Sequence, residues 1–222
     1  MNKEKIVIIV AGGKGERMQT EIPKQFLEIK GKPILMHTIN QFRIYNSDIQ
    51  LIIVLPVTQI EFWKDLCEKH NFKVPHEIIV GGSTRFESVK NGLKAVKIPS
   101  IIAVHDGVRP LVSVYTIARC FDEAEKNDAA IPVIELVDSI RQVTKSGNQS
   151  VDRNNFKLVQ TPQIFDGELL KNAYQQEYST FFTDDASVVE SLGVTIKLVE
   201  GNRMNIKITN EFDLKLAEAY LT

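Results

Sequence analysis

Short apolar runs alternate with helix-period segments along this chain. Positions 6–10, 51–55, 77–80 and 101–104 are rich in β-branched residues and lack polar alternation, as in strands buried on both faces of a parallel sheet. Between them, 34–45 places Leu35, Ile39 and Phe42 on one helical face, and 58–70 does the same with Ile60, Trp63 and Cys67. Segments 84–96 and 114–126 also carry helix spacing. This alternation predicts βαβ units and an α/β fold.

Strand character resumes at 129–136 and then breaks. From 137 to 157 polar and apolar residues mix, and Ser146-Gly147-Asn148 signals a turn, so the stretch reads as a protruding, hairpin-like arm. Helices are predicted at 169–178 and 184–192, the second with Thr183 as its N-cap. Late strands at 195–199 and 206–208 precede a closing helix at 211–220. With no internal repeat, low-complexity tract or linker, 1–222 is expected to form one domain with an arm at about 137–157.

Composition narrows the function classes. Of 222 residues 43% are hydrophobic, enough to fill a core, and 25% are charged. The net charge of -1, from 27 basic and 28 acidic side chains, argues against a nucleic-acid partner. No apolar run approaches a membrane span, and Met-Asn-Lys-Glu-Lys leads into the first strand without a signal-peptide pattern. Cys67 and Cys120 fit neither a disulfide framework nor a zinc pattern and read as buried free thiols of a reducing, cytoplasmic setting.

The candidate chemistry begins where the first strand ends. Gly12, Gly13 and Gly15 let backbone N–H groups approach a ligand without Cβ interference, and Lys14, Arg17 and Lys24 add three cations. Amides plus cations beyond a strand's carboxyl end make a phosphate cradle. Met18 stands where the dinucleotide fingerprint needs its third glycine, and Glu16 follows Gly15 where a P-loop needs lysine. The remaining pattern, Ala-Gly-Gly-x-Gly-x-Arg-Met and then Pro-Lys-Gln at 23–25, resembles the signature of sugar-nucleotide and related nucleotidyltransferases.

Further clusters follow other strands. Gly81-Gly82-Ser83-Thr84-Arg85 with Ser88 suits hydrogen bonds to a base edge or ribose, and equally suits a plain capped helix. In His105-Asp106-Gly107-Val108-Arg109, an acid and a cation lie just past a strand end, where open α/β sheets place ligands. Asp106 is a candidate for Mg²⁺ or a substrate hydroxyl, and Arg109 for an anion; a mutual Asp–Arg pair is the alternative. His105 reads as a packed residue, and His37, His70 and His76 lack metal-ligand spacing. Lys207, between Ile206 and Ile208, needs a partner if its strand is central. Asp184 and Asp185 read as helix N-terminal charges outside the site.

Together with Val151-Asp152-Arg153 and Gln160-Thr161-Pro162-Gln163, the order of motifs closely resembles the 2-C-methyl-D-erythritol 4-phosphate cytidylyltransferase family of the non-mevalonate isoprenoid pathway. The resemblance implies a doubly wound, mostly parallel Rossmann-like nucleotidyltransferase fold and a homodimer whose arms reach over neighbouring active sites. It implies transfer of CMP from CTP to the polyol phosphate, with Mg²⁺ as cofactor. Arg17 and Lys24 would contact the triphosphate, and Ala11, Gly12, Gly13, Gly15, Gly82, Ser83 and Ser88 would hold the nucleotide. Asp106, Arg109, Ser139, Thr161 and Lys207 would surround the methylerythritol phosphate, with Arg153 arriving from the partner subunit. The family more often has Ala-Ala-Gly at Val10-Ala11-Gly12, Ala-Ala at Gly107-Val108 and Asp-Thr at Asp138-Ser139. The competing readings are a ribitol 5-phosphate cytidylyltransferase, a sugar-1-phosphate nucleotidyltransferase and a non-catalytic nucleotide-binding module.

Overall fold

The continuous apolar character of the first strand, β1 (Glu4–Val10), has a direct cause: its successive side chains enter two different cores. Val7 and Ile9 pack with α1 (Ile34–Tyr45), α2 (Ile60–Lys69) and α4 (Val114–Asn127), while Ile6 and Ile8 pack with α3 (Arg85–Ala95), α5 (Gly167–Ala173) and α6 (Asp185–Glu190). Each fully buried aliphatic side chain contributes about 1.5–3 kcal/mol, so both faces must be covered. The computed structural model describes residues 3–13 and 22–221; Lys14, Gly15, Glu16, Arg17 and Met18 lie outside them.

The other strands are β2 (Glu28–Ile29), β3 (Lys32–Pro33), β4 (Gln50–Leu55), β5 (Glu77–Val80), β6 (Ser100–Asp106), β7 (Ala129–Glu135), β8 (Arg141–Thr144), β9 (Gly147–Ser150), β10 (Lys157–Val159), β11 (Gln163–Asp166) and β12 (Lys197–Glu200). A final helix, α7 (Glu211–Tyr220), closes a third small core around Ile29, Val108 and Ile208. The main sheet runs β10-β7-β11-β6-β1-β4-β5, with β12 also on β7. Strands β5, β4, β1 and β6 are mutually parallel, as expected for a doubly wound α/β fold. From β1 the chain moves outward to β4 and β5, then returns to β6 on β1's other side. That reversal opens a crevice at the strands' carboxyl ends.

Several local expectations differ from the structure. Strand β6 continues through His105 and Asp106, so this pair ends the strand instead of following it. Strands β10 and β11 were not expected; β11 runs antiparallel to β6 and inserts between it and β7. Asp184, not Thr183, caps α6, its carboxylate accepting from Ser187 N. Helix α5 starts at Gly167, capped by Asp166, and ends at Ala173, short of 178. Residues 206–208 form no strand. Ile208 instead buries itself in the third core and donates one backbone hydrogen bond to Val108 O at 3.0 Å. Within the expected arm, β8 and β9 form a two-stranded hairpin, every residue of which is exposed.

Candidate active site

Beyond β1, Ala11 N donates to Val54 O at 3.0 Å and the chain turns into the exposed Gly12 and Gly13. A Cβ on Gly13 would stand 3.2 Å from Lys24 Cε, so the lysine stem lies along this bare backbone. Gln25 fixes the arrangement. It is fully buried, and its amide donates to Ala11 O and to Gln59 Oε1, both at 2.6 Å. The short 3₁₀ turn Lys24–Phe26 is thus tied to the glycine loop.

The second loop follows β5 and is held by the helix it opens. Thr84 and Glu87 form a capping box. Glu87 also accepts from Ser83 N at 2.7 Å and Ser83 Oγ at 2.6 Å. Ser88 Oγ donates to Thr84 O at 2.9 Å and accepts from Gly82 N at 3.1 Å. A Cβ on Gly82 would come within 2.3 Å of Glu87 Cβ, so only glycine permits this approach. The capped helix and the loop before it are therefore one structure.

At the end of β6, Asp106 is surrounded by cations. Its Oδ2 meets Lys207 Nζ at 3.1 Å and Arg109 Nε at 3.2 Å, and its Oδ1 lies 3.7 Å from Arg85 Nε. Burial raises the Asp106 carboxyl's pKa, but Arg85, Lys207 and Arg109 outweigh it and hold the group well below the usual carboxylate range. The mutual Asp106–Arg109 pair thus exists as part of a larger cluster. Lys207 finds its partner outside any strand, with 43% of its side chain exposed. Thr161 Oγ1 accepts from Asp106 N at 3.1 Å and lies 3.0 Å from His105 Nδ1. His105 Nε2 lies 3.2 Å from Arg109 O. Burial pulls the His105 imidazole down to about 3, so it stays neutral and packed.

One cavity of about 240 Å³ gathers these segments. It is lined by Val10 to Gly13, Lys24 and Gln25 from the first loop, Gly82 to Arg85 and Ser88 from the second, and Asp106, Val108 and Lys207. Predicted residues Ala11, Gly12, Gly13, Lys24, Gly82, Ser83, Ser88, Asp106 and Lys207 therefore converge. Arg109 and Thr161 stand behind Asp106. Gly15 and Arg17 lie outside the described residues. Ser139 and Arg153 do not line the cavity; both are exposed, and Arg153 Nη1 donates to Val137 O.

A family model described as 2-C-methyl-D-erythritol 4-phosphate cytidylyltransferase matches residues 5–222. The chain belongs to this family. It is 57% identical over 215 residues to the 2-C-methyl-D-erythritol 4-phosphate cytidylyltransferase of Bacteroides thetaiotaomicron, covering 97% of this chain and 98% of that one. The namesake protein of Porphyromonas gingivalis is 47% identical, with both chains fully covered. The crystal structure of 4-diphosphocytidyl-2C-methyl-D-erythritol synthase from Anaerococcus prevotii superposes with a TM-score of 0.84 at 29% identity, covering 99% of this chain and 96% of that one. The cytidylyltransferase structure from Thermus thermophilus gives 0.76 at 33% identity, covering 97% and 98%.

Family membership makes the chain a cytidylyltransferase, and the structure adds Gln25 and Arg85 to its cavity and ties Arg85 to Asp185, three residues the sequence did not single out. Gln25 was read only as part of a motif. Arg85 ends the Gly81–Arg85 motif, which by itself gives its side chain no role. Asp185, set aside as a helix-dipole charge, is fully buried and paired with Arg85 at 2.7 Å. The signal for Asp185 was its setting: an acid among Ala186, Val188 and Val189 on a core-facing helix must have a partner.

Proposed function

We propose that a phosphate oxygen of 2-C-methyl-D-erythritol 4-phosphate attacks the α-phosphorus of CTP in this cavity. The new P–O bond forms as the bond to the β-phosphate bridging oxygen breaks, and pyrophosphate leaves with that electron pair. The products are 4-diphosphocytidyl-2-C-methyl-D-erythritol and pyrophosphate. The convergence of Gly12–Gly13, Lys24, Gly82–Ser83, Asp106 and Lys207 on one cavity carries this reading. A phosphomonoester has its second pKa near about 6, so the nucleophile is largely dianionic at neutral pH and needs no general base. The neutral, buried His105 agrees with that.

The task is to hold two polyanions in line. Lys24, beside the glycine loop, and Arg17 take the triphosphate; Gly82, Ser83 and Ser88 take the cytidine. Asp106 accepts from a polyol hydroxyl, Lys207 faces the second phosphate, and Arg109 holds Asp106 from behind. Thr161 acts through Asp106 by fixing its backbone N–H.

The donor set suits Mg²⁺ carried on the triphosphate. Among the described residues, Asp106 is the one carboxylate lining the cavity, and its Oδ1 has only the 3.7 Å contact with Arg85. Among the described residues no group of three or more His, Cys, Asp or Glu could hold an ion. Bound on the triphosphate, Mg²⁺ would neutralise phosphate charge. No helix among the described residues is long and apolar enough to cross a membrane. A cytoplasmic enzyme is the reading that its two free thiols favour.

The test is turnover of a panel of polyol and sugar phosphates with each nucleoside triphosphate. The expected result is pyrophosphate release with CTP and 2-C-methyl-D-erythritol 4-phosphate. Preference for ribitol 5-phosphate, or for another base with a sugar 1-phosphate, would replace this reading.

The enzyme works as a homodimer in which Ser139 and Arg153 serve the neighbouring site. Val137, Val143, Phe156 and Leu158 leave an exposed apolar surface along the arm and β10, the kind of surface a second copy covers. Mixing Lys24→Ala protein with Arg153→Ala protein, each nearly inactive alone, is expected to restore about a quarter of wild-type activity, since half of the randomly exchanged dimers carry one intact site. A mixture no more active than its components would place Arg153 in its own subunit's site or in none.

A further inference from the structure

Asp185 opens α6 with none of its side chain exposed, a setting in which an ionised carboxylate needs full hydrogen bonding. Arg85 Nη1 donates to its Oδ1 at 2.9 Å and Nη2 to its Oδ2 at 2.7 Å. The Tyr174 hydroxyl donates to Oδ1 at 2.6 Å. Tyr174 is itself buried and stacked on Phe86, with ring centroids 4.7 Å apart. The bidentate grip determines where the guanidinium's remaining nitrogen lies. That nitrogen, Nε, faces Asp106 Oδ1 at 3.7 Å, on the side of the carboxylate away from Lys207.

Charge therefore alternates from the core to the cavity: Asp185, Arg85, Asp106, then Lys207. A separation of 3.7 Å is too long for a hydrogen bond but short enough for strong attraction at low dielectric. Without Asp185, the guanidinium would be free to turn its two-pronged end onto Asp106 and displace Lys207. We propose that Asp185 is a positioning residue for the reaction: by restraining Arg85 it sets the orientation of the Asp106 carboxylate and so aims Lys207 at the polyol phosphate. This rests on the reading that Asp106 and Lys207 serve the polyol phosphate while the glycine loops serve CTP.

The experiment measures steady-state kinetics in both substrates, with unfolding midpoints, for wild type, Asp185→Asn and the double variant Arg85→Met with Asp185→Leu. Both variants are expected to lose on the order of 10- to 100-fold in kcat/KM for 2-C-methyl-D-erythritol 4-phosphate, while KM for CTP stays within about twofold. Replacing the buried pair by apolar residues is expected to recover stability that Asp185→Asn loses, without recovering the polyol-phosphate defect. If activity returns together with stability, the pair is purely structural and the proposal fails. It fails also if the two substrates suffer equally or if the kinetics do not change. The double variant decides alone if Asp185→Asn does not fold. Wild-type enzyme that ignores 2-C-methyl-D-erythritol 4-phosphate overturns the substrate reading, whereas a wild-type rate preserved in Asp185→Asn overturns the positioning role alone.

Discussion

Lys24→Ala is expected to lower kcat by about 10²- to 10³-fold, the usual cost of deleting a preorganised charge at a site of developing negative charge. The lysine stem lies against Gly13 and lines the cavity beside the glycine loop, the place proposed for the triphosphate. Charge builds on the leaving pyrophosphate as the P–O bond breaks, so the ammonium interacts more strongly with the transition state than with bound CTP. The loss should therefore appear mainly in kcat. The fold should survive, because Lys24 is only half-buried while Gln25, its fully buried neighbour, makes the anchoring bonds. Lys24→Arg should recover part of the rate, since it restores charge with a different shape. Rapid-quench measurement of CMP transfer checks this; turnover near the wild-type rate would take Lys24 out of the machinery.

Asp106→Asn carries the largest expected effect on stability. The Asp106 side chain is 9% exposed and is the shared counter-ion of Lys207, Arg109 and Arg85. An amide of the same size withdraws that charge from Lys207 and Arg109 and leaves Arg85 with Asp185. Breaking a buried ion pair costs about 3–5 kcal/mol, which for a chain of this length means a Tm drop of roughly 6–20 °C. The pH dependence has a definite sign. Because the folded pKa lies below the ordinary value, the ionised group stabilises the fold above the ordinary carboxylate range, and that stability is lost as pH falls through it. The gap between wild type and Asp106→Asn should thus be widest above about pH 5 and shrink steadily below about pH 4. Denaturant unfolding across that range tests it. Equal midpoints at neutral pH would mean that the cluster does not stabilise the fold.

The Asp106 cluster also marks the boundary of what a sequence can disclose. His105, Asp106 and Arg109 were legible as a group because they are near neighbours at a strand end. Their meaning changed once Arg85 and Lys207 arrived from distant parts of the chain. The same holds for Asp185. Its helical setting was readable, but its partner lies 100 positions away. Strand β11 was missed because Gln163 to Asp166 is a short run of mixed polarity, and only its place between β6 and β7 makes it a strand. Conversely, Ile206-Lys207-Ile208 alternates like a strand, yet it follows its side chains into the small core under α7.

The sequence by itself determined the parallel core, the helices that cover it, the glycine loop, the capped second loop and the family. Those features depend on periodicity, turn chemistry and close spacing, which act between residues a few positions apart. Tertiary structure alone decided which charges meet. The reversal of strand order beside β1 brings the ends of β1 and β6, the loop after β5 and the segment before α7 to one crevice. Electrostatic pairing depends on distance in space, and that distance is set by the chain's path through the sheet.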